Sequence, residues 1–183
     1  MRIHKKEDGA ALVEFAIVAT ILFTLLFGII EFGLAFRDWL SVTSSTREGA
    51  RVASAAGNEG EADCFILDAM TGPLLAVPID NLSNGFRVTI FKADANGGIE
   101  GPKQVYIPDP GSIAATPFVC RSNWDQLENG YPPEDRSVVA DDLDTIGVRI
   151  EFTHAWVTGI IPGNPDWTDD AVMRIEPRSF AGS

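Results

Sequence analysis

Residues 15–30 read FAIVATILFTLLFGII, a run without a single charge. Extended outward to Ala10 and Phe36, the apolar segment is 27 residues long, and only Glu14 and Glu31 interrupt it. At about 1.5 Å of rise per residue, such a helix crosses a hydrocarbon core of about 30 Å with residues to spare. A helix lying on a soluble core would confine its apolar residues to one stripe. Here they run all the way round, so the segment reads as membrane-spanning. A cleaved secretory signal would have a shorter apolar region, about 7–15 residues, closed by a small-residue site. The nearest such site, Ala53-Ser54-Ala55, lies well beyond the segment.

The flanks set the expected orientation. Arg2, Lys5 and Lys6 precede the helix, and the positive-inside rule keeps them in the cytoplasm. Arg37 at the other end is offset by Asp38. The expected location is therefore the inner (cytoplasmic) membrane, single-pass, with the C-terminal part extracytoplasmic. Net charge is −12 over 183 residues, but it is unevenly placed. Residues 1–9 carry +1, the helix carries −2 through Glu14 and Glu31, and the remaining −11 belongs to residues 37–183. A domain that acidic repels phosphate backbones, so nucleic acid is not an expected partner.

Cys64 and Cys120 are the only cysteines. On the exported side of a membrane they read as a disulfide closing a long loop or as two buried thiols, and the spacing does not choose between these. It fits no zinc pattern, with only His4 and His154 available as imidazoles. Asp94-x-Asn96-Gly97 and Asp141-Asp142-x-Asp144 invite a calcium reading. Position 12 of a loop counted from Asp94 is Val105, not a glutamate, so turn and cap roles are expected instead. His154 sits in a strand pattern and reads as structural. Trp124, Trp156 and Trp167 read as core or rim aromatics. No nucleophile has an evident base and no glycine-rich phosphate loop is present. No catalytic residue, metal site or cofactor is expected.

Two features of the helix are unusual. Glu14 lies in its first turns, where a carboxylate is costly and usually has a partner. A short hydrophilic leader ends at Gly9, directly before Ala10-Ala11-Leu12-Val13-Glu14-Phe15. This resembles the processing site of type IV pilin-like proteins, which a prepilin peptidase cuts after a glycine and in which glutamate is the fifth mature residue. Counted from Ala10, Glu14 is the fifth. An aromatic after the glutamate, here Phe15, is typical of the tight-adherence (Tad or Flp) branch. The run GAALVEFAIVATILFTLLFGIIEFG, followed by TSSTREGARVASA, is similar to the N-terminal region of TadE-like proteins, over about residues 9–56. Glu31-Phe32-Gly33 and Arg47-Glu48-Gly49-Ala50-Arg51 add to the match.

The resemblance implies a minor pseudopilin or pilus-assembly protein. Its partners would be other pilin or pseudopilin subunits, the Tad assembly machinery, prepilin peptidase as processing enzyme, and the lipid bilayer. It also implies processing at Gly9/Ala10 and subunit assembly through Glu14 and Phe15. Major pilins of this branch are little more than one helix, whereas this chain carries a large downstream part. From the residues alone, a membrane-tethered binding module or enzyme stands as the alternative. Independently of the resemblance, Ala16, Thr20, Thr24 and Gly28 recur every four residues. A stripe of small side chains lets membrane helices approach closely. Glu31, near the outer end, is expected to face water or headgroups.

Downstream, the helical pattern continues through residues 37–56, with Ser45-Thr46-Arg47-Glu48 at capping-box spacing, so a helix could restart there. Residues 64–76 form a second helix pattern stopped at Gly72-Pro73. Phe86–Lys92 (FRVTIFK) alternates as a strand, 94–98 is turn chemistry, and Gln104–Ile107 is the return strand. Residues 108–136 read as irregular. Thr145–Trp156 is the clearest strand, and Ala171–Glu176 is a further one. The expected class is α+β: a single N-terminal transmembrane helix continuing into a pilin-like long helix, then a small antiparallel sheet. The expected organisation is a cytoplasmic leader (1–9), transmembrane helix (10–36), membrane-proximal helix (37–60) and acidic extracytoplasmic α+β domain (61–183).

Overall fold

The computed structural model describes residues 7–78, 81, 85–109 and 124–177. Its elements are α1 (Glu7–Ala56), α2 (Ala62–Leu74), β1 (Arg87–Ala93), β2 (Ile99–Pro108), β3 (Trp124–Asn129), a short 3-10 turn at Pro133–Asp135, β4 (Thr145–Thr153) and β5 (Asp166–Arg174). This is the mixed α+β class expected. The chain divides into two compact units, one holding 7–36 and 156–162 and the other 37–155 and 163–177 among the described residues.

In the first unit, the α1 side chains from Leu12 to Ile30 are exposed round the helix, with Leu12, Phe15, Ile17, Leu22, Leu25 and Ile29 each more than half exposed. This helix is long and apolar enough to cross a membrane. An apolar surface of this extent suits a lipid environment.

In the second unit, α1 becomes amphipathic. Asp38, Val42, Ser45, Thr46, Gly49, Ala50 and Ala53 are buried, a spacing of three and four residues that places them along one stripe. The helix does not restart at Ser45. Its hydroxyl donates to the Met70 carbonyl of α2 at 2.8 Å, and Thr46 donates back to the Val42 carbonyl at 2.9 Å. With both hydroxyls spent elsewhere, the capping spacing caps nothing. Gly49 explains why Arg47-Glu48-Gly49-Ala50-Arg51 needs small residues at its centre. A Cβ there would lie 2.6 Å from Met70 Sδ, so glycine is what lets α2 approach. Arg51 and Glu48 form an ion pair on the exposed side of the same turn. Gly57, at φ +54°, ends α1 in the left-handed conformation that glycine tolerates.

The five strands form one antiparallel sheet in the order β3-β2-β1-β4-β5. Val88 pairs with Ile150 and Tyr106, and Ile90 with Val148 and Gln104, on the face that meets the helices. All of these except Gln104 join Val42, Ala50, Ala53, Ile66, Leu67 and Met70 in one core. Strand β5 is tied to α1: the Ser54 hydroxyl donates to the Arg174 carbonyl at 2.6 Å, and the Glu176 amide to the Ser54 carbonyl at 2.9 Å.

Strand β3 lies inside the region read as irregular. Its sequence, WDQLEN, buries only Trp124, so no alternation betrays it, and it exists because β2 offers an edge. Strand β5 starts five residues before the expected strand, since DWTDD carries too much charge to read as one. Strand β4 stops at Thr153, where the His154 amide turns to the Pro165 carbonyl.

Candidate functional site: the membrane helix and its two carboxylates

Gly9 and Ala10 lie in the first turn of α1, both exposed. Glu14 and Phe15 follow one turn later; Phe15 is 72% exposed. Among the described residues nothing pairs with the Glu14 carboxylate. Glu31 is the opposite case. It is 1% exposed, and both its oxygens accept the Thr158 amide, at 3.1 and 3.3 Å. The expectation that Glu31 faces water or headgroups is therefore corrected. Residues 156–162 form a loop that packs beside it, out of reach of any local sequence pattern.

The small-residue stripe is continuous on α1. Thr20 donates to the Ala16 carbonyl and Thr24 to the Thr20 carbonyl, each at 2.8 Å. Their hydroxyls are thus satisfied inside the helix, and the stripe offers shape rather than free donors. Ala16 and Thr20 floor a shallow apolar groove walled by Leu12, Val13, Ile17 and Ile21. A Cβ on Gly28 would meet nothing within 4 Å. At about 100° per residue, Ala16 lies about 200° round the helix from Glu14. The carboxylate and the start of the stripe therefore lie on different sides of the helix.

Residues 9–51 match the family described as TadE-like protein. No curated protein matches the chain, and neither does any solved structure. The TadE-like match covers the spanning segment and the membrane-proximal part of α1 through Arg51, and it links the chain to the Tad pilus system. That family is one of pilus components and not of enzymes. A single-pass membrane protein is what the one long apolar helix among the described residues supports.

The polar clusters of the second unit bond its elements to one another. Asp63, in the first turn of α2, accepts from Arg136, from the Tyr106 hydroxyl at 2.7 Å and from Gln104 Nε2 at 3.2 Å. Arg136 also reaches the Gly57 and Tyr131 carbonyls. Asp144 accepts from the Tyr131 hydroxyl at 2.8 Å, the Ser137 amide at 2.9 Å and Lys92 at 2.8 Å. Burial, reinforced by Asp63 for Tyr106 and by Asp144 for Tyr131, holds both phenols protonated far above their ordinary value. A cavity lined by Asp63, Gln104, Tyr106, Trp124 and Gln126 opens here, but the Asp63 carboxylate is already committed.

His154 Nδ1 lies 3.2 Å from Asp38 Oδ2, which Asn81 also bonds at 3.0 Å. The ring stacks on Trp167 at 5.0 Å. An Asp–His pair invites a catalytic reading, but at 1% exposure no substrate reaches the imidazole. Asp94 Oδ1 accepts the Asn96 and Gly98 amides at 2.7 and 2.8 Å, the turn role expected. Among the described residues no cluster of His, Cys, Asp and Glu is placed to hold a metal. The Cys64–Cys120 pairing involves Cys120, which lies outside the described residues, as do His4 and the leader cations Arg2, Lys5 and Lys6.

Proposed function

We propose that this chain is a TadE-like minor pseudopilin or pilus-assembly protein, held in the cytoplasmic membrane with its N-terminus in the cytoplasm and its acidic domain outside. The observation that carries the reading is the contrast between two carboxylates on one apolar helix. Glu31 is satisfied within the chain, whereas Glu14 is exposed on a face that lipid would cover. An intramembrane carboxylate without an internal partner calls for an external one. Cleavage after Gly9 would create a charged amine at Ala10, and the amine of a neighbouring subunit would neutralise Glu14 in the low-dielectric bundle. The junction suits processing, because the amides of a first helical turn lack intrahelical acceptors and the turn frays at little cost.

The small-residue stripe, starting on a different side, gives a second packing direction. A subunit that contacts one neighbour through Glu14 and another through Ala16 and Thr20, where the stripe begins on the other side, fits a helix bundle better than an isolated anchor. Prepilin peptidase would be the processing enzyme, with other pilin-like subunits and the Tad machinery as partners.

Mass spectrometry of the protein purified from membranes tests the processing. A mature terminus at Ala10 is expected; an intact leader would remove this step and favour a simple tethered module. Glu14→Ala is expected to impair piliation while the outer domain stays folded. Normal piliation in that variant would overturn the assembly role of the carboxylate.

A further inference from the structure

The loop 156–162, WVTGIIP, is grouped with the apolar helix and not with the sheet domain. Its Thr158 amide binds Glu31, and Trp156 meets the Phe32 ring edge-on at 6.1 Å. Thr158 Oγ1 accepts the Ile160 amide at 3.3 Å and Gly159 has a φ of +67°, so a tight turn holds the tip. At that tip Val157 is 68% and Ile160 54% exposed. No charge occurs from Ala155 to Pro165, in a portion of the chain that otherwise carries −11. A surface loop of an acidic domain has no reason to be both uncharged and apolar at its exposed tip, unless that tip is not in water.

The helix supplies the position. From Ala10 to Ile30 the rise is about 30 Å, the thickness of a hydrocarbon core, so Glu31 and Phe32 fall at its boundary. The loop packs at that level. Tryptophan is the side chain most at home at such a boundary, its ring apolar and its N–H polar. We infer that the loop 156–162 is a second membrane contact, whose Val157 and Ile160 side chains enter the leaflet at the C-terminal end of the spanning helix. The inference rests on the spanning reading of α1. The bond from Thr158 to Glu31 then has two effects: it holds the loop at the right depth, and it satisfies a carboxylate at the lipid boundary.

The test is photocrosslinking of the full-length chain in vesicles of phosphatidylethanolamine and phosphatidylglycerol. p-Benzoylphenylalanine replaces one residue at a time: Ile160, Leu22 within the helix, or Leu127, which is exposed on β3. Mass spectrometry is expected to find lipid adducts at position 160 within about threefold of the yield at 22, and roughly tenfold above that at 127. Adducts at 22 without adducts at 160 overturn the loop contact and leave the spanning helix standing. Adducts from 160 to protein instead of lipid overturn it as well. Absence of lipid adducts at 22 takes down both readings.

Discussion

The Thr158 amide donates to the Glu31 carboxylate at 3.1 Å, joining positions 127 residues apart. A helix carboxylate in apolar surroundings is thereby satisfied by backbone from the far end of the chain. Glu31→Ala removes the carboxylate that accepts that amide. Loss of about 1 kcal/mol of net hydrogen-bond stability predicts about fivefold faster exchange there. Hydrogen exchange of the full chain in lipid nanodiscs reads this. Unchanged exchange at Thr158 would show that other contacts hold the loop.

Arg136 and Asp63 form an ion pair whose guanidinium side chain has no solvent exposure. Arg136→Met strands a buried carboxylate on Tyr106 and Gln104 alone. Breaking such a pair from one side is expected to cost about 3–5 kcal/mol. Urea unfolding in detergent micelles, followed by tryptophan emission, measures it. Adding Asp63→Asn should recover part of the loss, because the stranded charge disappears.

Burial works against the charged form of Asp144, yet hydrogen bonds from Lys92, the Ser137 amide and Tyr131 outweigh it and hold its carboxyl below the ordinary value. A depressed folded-state pKa contributes stability in full above the unfolded value of about 3.9 and loses it as pH falls through the folded one. Wild type and Asp144→Asn should therefore differ most at neutral pH, with the gap in urea midpoint narrowing below about pH 4. A gap constant from neutral to acidic pH would show that the carboxylate charge is not the stabilising element.

Gly147 on β4 faces Phe91 on β1, its register partner. A Cβ at 147 would overlap the fully buried Phe91 ring. Gly147→Ala is expected to destabilise the sheet by about 1–3 kcal/mol, with partial rescue by Phe91→Leu. Gly49→Ala should cost less, because the obstacle there is the flexible end of Met70. Thermal melts of the three variants rank these effects; equal losses at both glycines would contradict the rigid-ring explanation.

Much of the architecture is legible one residue at a time. Sixteen uncharged residues make a helix for lipid whatever follows them. The three-and-four spacing of buried residues from Asp38 to Ala53 continues it, and the alternation in FRVTIFK and TIGVRIEF makes central strands, because each pattern reflects the period of its own element. Glu14 and the stripe at Ala16, Thr20, Thr24 and Gly28 are equally local and stand out from residue type and spacing, whereas the Gly9/Ala10 junction stands out only through the family resemblance.

Other features depend on partners distant in sequence. WDQLEN becomes a strand only because β2 has an unfilled edge, and Ser45 fails to cap because Met70 takes its hydroxyl. Arg136 is buried only because Asp63, Gly57 and Tyr131 converge on it. Above all, Glu14 and Glu31 lie at the two margins of one apolar helix, and no local pattern assigns a partner to either. The tertiary structure separates them, because a hydrogen-bond partner is a matter of position in space, and the chain brings Thr158 to one and no described residue to the other.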